Sequence, residues 1–163
     1  MYKIDKRQNL KSDGEKSEFE KRVLQVDRVA RTVAGGKRIR FRCLVIMGNR
    51  NGKVGIGIGK ASEVVEAVAK ASRIAQKQMI EIPIQNGTIL HQLDIRSGSS
   101  HIILKPARPG TSIVAGGAVR TICELAGITN IVSKILGSAN KINNSKLMIE
   151  AFKIFIKEKN EAQ

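Results

Sequence analysis

The chain has 163 residues, with 29 Lys and Arg against 14 Asp and Glu, a formal charge of +15 and a pI near 10.3. Hydrophobic residues make up 42%, enough to bury the core of one domain or two small ones, and no window approaches the ~20 apolar residues of a membrane helix. So positive a field selects a polyanion as partner, nucleic acid before an anionic membrane, while aromatics at 3% with no Trp argue against base-stacking platforms and for contacts to phosphates and helix shape.

The opening "MYKIDKRQNLKSDGEKSEFEK" mixes both charge signs with polar groups. It lacks the apolar core of a signal peptide, and its acids disfavour a transit peptide, so residues 1–18 are expected to form a flexible arm. "VLQVDRVARTV" (Val23–Val33) is rich in β-branched residues and partly alternates, which predicts a strand. "AGGK" (Ala34–Lys37) is a turn. In "RIRFRCLVIM" (Arg38–Met47), Arg38, Arg40 and Arg42 share one face and Ile39, Phe41 and Cys43 the other. "GNRNG" (Gly48–Gly52) is a hairpin turn, since Asn-Gly accepts positive φ cheaply, and "KVGIGIGK" (Lys53–Lys60) is a third strand.

A helix is predicted from about Ser62 to Gln78, capped by Ser62, with Glu63 and Glu66 at its positive end. Val64, Val68, Ala71 and Ala75 make its apolar stripe, and Lys70, Arg73 and Lys77 a basic one. The first half thus reads as an antiparallel meander closed by a helix, βββα. "EIPIQNGTI" is a junction. "GTILHQLDI" and "HIILKPA" are two strands around "RSGSS", and "RPGTSIVAGG" links them to a helix at about Gly117–Ala126, ended by Gly127. "ITNIVSKIL" is another strand. Asn143 or Asn144 caps a last helix whose core face is Leu147, Met148, Ala151, Phe152 and Phe155. The second half reads ββαβα. The fold class is α+β in two small domains: residues 19–82 and 83–158, between the arm and a short tail at 159–163.

The charge is concentrated. From Arg28 to Lys60 there are nine basic residues and no acid: Arg28, Arg31, Lys37, Arg38, Arg40, Arg42, Arg50, Lys53 and Lys60. A solvated surface normally mixes signs, so this segment is the candidate for nucleic-acid contact.

The glycines of "GNRNGKVGIGIGKASEVVEAV" suggest a phosphate loop before a helix, but the motif fails. Counting back from Gly59-Lys60, Val54 stands where a P-loop has its first glycine, and Ala61 where it has its magnesium-binding hydroxyl. The dinucleotide fingerprint fails as well, ending on Lys60 or Ser62. Strand alternation accounts for the pattern better. Val54, Ile56 and Ile58 face one way and Gly55, Gly57 and Gly59 the other, leaving bare backbone that another backbone can approach. That neighbour is either this chain's own helix or an RNA phosphate chain, so the three glycines join the candidate RNA-binding set.

No catalytic constellation or metal cluster is evident: His91 and His101 have no Asp or Cys at a telling spacing, and Asp94 is isolated. Cys43 and Cys123 are far apart in apolar runs and read as reduced core thiols, which suits a cytosolic chain. No cofactor, small-molecule substrate or membrane is called for.

The stretch "VDRVARTVAGGKRIRFRCLVIMGNRNGKVGIGIGKASEV" closely resembles the N-terminal domain of the bacterial small-subunit ribosomal protein S-five family. "QNGTILH", "KPARPGTSIVAGGAVRTICELAG" and "ILGSANKINN" match its later motifs, and the resemblance runs from about Phe19 to Phe155. It implies a first domain similar to double-stranded-RNA-binding domains and a second of the left-handed βαβ type. It implies a cytoplasmic ribosomal protein, not an enzyme, and the missing transit peptide favours a bacterial over an organellar source. Such a protein binds small-subunit (16S-type) rRNA between the body and head of the 30S particle. It contacts proteins four and eight, lies near the mRNA entry channel, and contributes to translational accuracy through the surface shared with protein four. The loop matching Val29–Lys37 would reach toward the head, in the region linked to spectinomycin sensitivity. Gly110, Thr111, Ser112 and Arg120 match the part associated with the protein-four contact. Ser112 stands where the family has glycine, and at positive φ it would cost about 1 kcal/mol. Val65 replaces a proline, Lys141 stands where "NP" is common, and the usual glycines around Ile95–Ser100 are displaced. The rival readings are a free-standing double-stranded-RNA-binding regulator and, more remotely, a nucleotide-dependent enzyme.

Overall fold

The structure is a computed structural model that describes residues 19–161; the expected N-terminal arm lies outside them. The first half forms three long antiparallel strands, β1 (Glu20–Val33), β2 (Gly36–Gly48) and β3 (Lys53–Ala61), then helix α1 (Val64–Lys77) and a two-residue strand β4 (Ile80–Glu81). The sheet order is β1-β2-β3-β4. The second half is β5 (Leu93–Ser97), β6 (Ser100–Pro106), β7 (Ile113–Val114), α2 (Gly117–Ala126), β8 (Ile131–Ile135) and α3 (Lys141–Glu161). Its sheet runs β5-β6-β8-β7, with β7 parallel to β8 across α2. The expected α+β, two-domain architecture is what forms. β4 and β7 are additions, each too short to leave a pattern in the sequence.

The first sheet has two covered faces. On one, Cys43, Val45 and Met47 of β2 pack with Ala67, Ala71 and Ala75 of α1. On the other, Ile46, Val54 and Ile56 join Val119, Ile122 and Leu125 of α2 and Phe152 and Phe155 of α3 in a single core shared by both domains. The partial alternation of β1 has a cause here. The β1–β2 register shifts between Val23 and Gln25, and this irregularity moves every later residue of β1 to the opposite face. Asp27 thereby comes to lie opposite Arg42, Val29 opposite Arg40 and Arg31 opposite Arg38.

Helix ends differ from expectation. The N-cap of α1 is Glu63, not Ser62, and no side chain bonds there. Its buried stripe is Ala67, Ala71 and Ala75, while Val64 stays 38% exposed. Helix α3 is capped by Asn140, whose Oδ1 accepts from Ile142 N at 3.0 Å. Asn143 and Asn144 lie inside it, and Asn144 is buried, donating to Ser138 O at 2.9 Å. Gly127 ends α2 at φ 89° as expected.

Candidate nucleic-acid interface

The glycine face of β3 is covered by this chain's own helix. A Cβ on Gly55, Gly57 or Gly59 would fall on the carbonyl oxygens of Ala75, Ala71 and Ala67 respectively. Glycine on the strand and alanine on the helix together let two backbones meet, which is what bare strand backbone permits. RNA has no access to this surface, so Gly55, Gly57 and Gly59 leave the candidate RNA-binding set.

The basic residues divide by position. The β1–β2 hairpin projects past the helices, and residues 30–40 are exposed throughout. Arg31, Arg38 and Arg40 share one face of it through their cross-strand pairing. Lys60 of β3 pairs with Arg42 of β2 and extends the same face. Arg28 and Lys37 pair with Phe41 and Thr32 and lie on the opposite face. Arg50 and Lys53 are elsewhere, at the β2–β3 turn. They lie a full strand from the hairpin tip, roughly 40 Å at about 3.3 Å per residue. The nine cations therefore do not make one patch.

The segment is also less free of acid than its sequence. Arg42 donates from Nε and Nη2 to Asp27 at 3.1 and 2.7 Å, and Gln25 supports the same carboxylate at 2.7 Å. Hydrogen bonds from Arg42 and Gln25, with the nearby charge of Lys141, hold the Asp27 carboxyl below its usual range. Arg42 is thus engaged, and Lys141, the first residue of α3, stands near the hairpin face. Lys141 comes from the other domain, so no local spacing marks it. Arg50 donates to Glu20 from Nε at 2.8 Å and lies 2.6 Å from it at Nη2. Among the described residues, Arg31, Arg38, Arg40 and Lys60 on this face are in no ion pair.

Arg50 begins a chain of ion pairs running Arg50–Glu20–Arg22–Glu124–Arg120. Burial pushes the Glu20 and Glu124 carboxyls up, but hydrogen bonds from their arginines outweigh it and leave both below the ordinary value. The chain edges an open cleft of about 460 Å³ lined by Arg22, Arg50, Ser112, Arg120, Glu124 and Thr129, among others. Ser112 and Arg120, from two separate parts of the sequence, meet here. Gly110 and Thr111 belong to the loop beside it, and buried Asn130 fixes that loop, its Oδ1 accepting from Gly110 N at 3.0 Å and Ser112 N at 3.2 Å. Ser112 has φ 63°, as do Gly110 at 92° and Arg50 at 58° in the same left-handed region.

The β2–β3 turn is tied to α2. Arg50 N donates to Leu125 O at 2.9 Å and Gly52 N to Ala126 O at 2.8 Å, so the turn satisfies two terminal carbonyls of that helix. The positive φ angles fall on Arg50 and Gly52, not on Asn51, and Asn49 Oδ1 accepts from Asn51 N and Lys53 N at 2.9 and 3.0 Å. The amides at this glycine-rich turn are committed to protein.

Asp94 is not isolated: its Oδ1 lies 2.6 Å from His101 Nε2 across the β5–β6 pair. His91 approaches Glu158 at 3.4 Å and meets the Phe155 ring edge-on. Cys43 and Cys123 are buried free thiols, and complete burial pushes Cys123 up to about 12. Among the described residues no group of three or more His, Cys, Asp or Glu could hold a metal, and no helix is long and apolar enough to cross a membrane.

A basic hairpin projecting from a sheet that is packed on both sides defines a nucleic-acid-binding class of protein. The comparisons with known proteins narrow it. The family model described as "Ribosomal protein S5, N-terminal domain" matches residues 19–83, and "Ribosomal protein S5, C-terminal domain" matches residues 95–158. A "Small ribosomal subunit protein uS5" of Thermotoga neapolitana is 50% identical over 136 residues, 83% of this chain and 76% of the relative. One of Thermus thermophilus is 49% identical over 137 residues, 84% and 85%, and one of Acaryochloris marina 42% over 152 residues, 93% and 86%. The chain belongs to the ribosomal protein S5 family.

Proposed function

We propose that this chain is a structural, non-enzymatic constituent of the small subunit of a cytoplasmic ribosome, binding its rRNA chiefly through the projecting β1–β2 hairpin. The observation that carries the hairpin assignment is the exposed row of Arg31, Arg38, Arg40 and Lys60 on one face of it. Arg28 and Lys37 add cations on the other face. Guanidinium and ammonium groups at strand spacing neutralise phosphates on strands that would otherwise repel, and they position the RNA without reading its bases. Arg42, Arg50 and Lys53 act at most secondarily: two are ion-paired and two lie at the far turn.

The finer placement follows from the family resemblance. The hairpin would reach between body and head, and the protein would contact proteins four and eight near the mRNA entry channel and contribute to decoding accuracy. The cleft beside Ser112 and Arg120, with Gly110 and Thr111 on its loop, is the surface for protein four. Arg120 is already paired with Glu124, so an incoming carboxylate would extend an existing chain of ion pairs rather than meet a lone charge.

Sedimentation of cell extract through a sucrose gradient tests the reading. The chain is expected with the small subunit and with the ribosomes that contain it. A chain found mainly among free proteins would favour a free-standing RNA-binding regulator instead.

A further inference from the structure

Among the described residues the chain holds two Asn-Gly pairs, Asn51-Gly52 and Asn86-Gly87, and both asparagines are exposed. Asparagine is chemically labile, most of all before glycine, which has no side chain to hinder attack of its nitrogen on the asparagine amide. The attack needs a glycine N–H that is not already spent. The fold treats the two pairs differently in this respect. Gly52 is buried, its N–H donates to Ala126 O at 2.8 Å, and its carbonyl accepts from Ile82 N at 2.8 Å. Asn51 N is held as well, by Asn49 Oδ1 at 2.9 Å. Asn86 and Gly87, at φ 50° and 74°, form a two-residue turn closed by hydrogen bonds between Gln85 and Thr88 at 3.1 and 2.9 Å. Among the described residues nothing accepts from the Gly87 N–H. Only the Gly87 carbonyl is engaged, accepting from Thr129 N at 2.9 Å, Asn130 N at 3.0 Å and Thr129 Oγ1 at 3.1 Å.

We infer that Asn86 is a site of covalent modification in the folded chain, converting through a cyclic imide to aspartate and isoaspartate, and that helix α2 shields Asn51 from the same reaction. Gly87 N attacks Asn86 Cγ. The N–Cγ bond forms, the Cγ–Nδ2 bond breaks, and ammonia leaves with the proton of Gly87 N. Water then opens the imide at either carbonyl, with no oxidant or reductant involved. At Gly52 the attacking nitrogen must first leave Ala126 O, which opens the end of α2. The product has a consequence for the cleft. Isoaspartate routes the backbone through the former side chain, which adds a methylene carbon and a carboxylate to a turn of two residues. So short a turn has no slack for the extra atom, so the Gly87 carbonyl is drawn away from Thr129 and Asn130. Thr129 lines the cleft beside Arg120, and Asn130 Oδ1 holds the amides of Gly110 and Ser112. Modification of one exposed asparagine therefore loosens the loop beside that cleft, whatever partner the cleft receives.

The test incubates the purified full chain at mildly alkaline pH, folded and, in parallel, unfolded in urea. Samples are digested after glutamate, which puts Asn51 and Asn86 on different peptides, and are read by tandem mass spectrometry and by isoaspartyl methyltransferase labelling. In the folded chain Asn86 is expected to convert roughly three- to tenfold faster than Asn51, the factor that one hydrogen bond to be broken at Gly52 is worth. In urea the two rates are expected to converge. Equal rates in the folded chain, faster loss at Asn51, or conversion of Asn86 only after unfolding would overturn the inference. Hydrogen exchange on the aged chain reads the consequence: the amides of Gly110 and Ser112 are expected to lose protection relative to the fresh chain. Unchanged protection there would overturn the link from the turn to the loop.

Discussion

Ser112 holds a left-handed backbone that glycine adopts freely and other residues do not, at φ 63°. The conformation is imposed by its neighbours: its N–H donates to Asn130 Oδ1 and its carbonyl accepts from Ile131 N at 3.2 Å. Ser112→Gly removes the strain, partly offset by the entropy glycine adds to the unfolded chain. It is expected to raise the urea midpoint by the equivalent of up to about 1 kcal/mol; a lowered midpoint would show that the serine side chain contributes more than its backbone costs. The position was legible in the sequence because "PGTS" departs from a glycine-bearing pattern. The role of Asn130 was not, since a buried amide that ties a loop 18 residues away leaves no local spacing. The same holds for Asp27 and Glu20: they lie outside the acid-free stretch yet neutralise Arg42 and Arg50 across the sheet.

At the scale of elements, strand alternation carried most of the first domain. It separated Val54 and Ile56 from the glycines, and it showed that bare backbone needed a backbone partner. It left open whether helix or RNA filled that place, because both present a chain at close range. The answer lies in Ala67, Ala71 and Ala75, spaced four apart so that small side chains meet the glycines. Gly57→Ala is therefore expected to wedge β3 from α1 and lower stability by about 1–3 kcal/mol in urea unfolding. Gly35→Ala, where an added Cβ meets nothing within 4 Å, serves as the control. Equal midpoints for the two variants would contradict the packing account. Elements without period were missed: two-residue β4 and β7 have no alternation to detect, and the start of α3 moved back to Lys141 because Asn140, not Asn143 or Asn144, meets its free amides.

Across the whole molecule, the two domains share one core, and the β2–β3 turn closes the end of α2. This arrangement leaves the β1–β2 hairpin as the projecting part, its cations held on a stiff strand pair. Composition alone indicated a polyanion partner, but not that a third of the basic stretch is ion-paired or turned to another end of the molecule. On this reading the hairpin face neutralises the phosphates. The salt dependence of binding between the purified chain and small-subunit rRNA, compared with that of an Arg38→Gln/Arg40→Gln chain, tests it most directly. A steep log–log slope is expected for the natural chain, and one shallower by about 1.4–1.8 for the variant, at about 0.7–0.9 per phosphate contact. A nearly flat slope for the natural chain, or an unchanged slope for the variant, would contradict it.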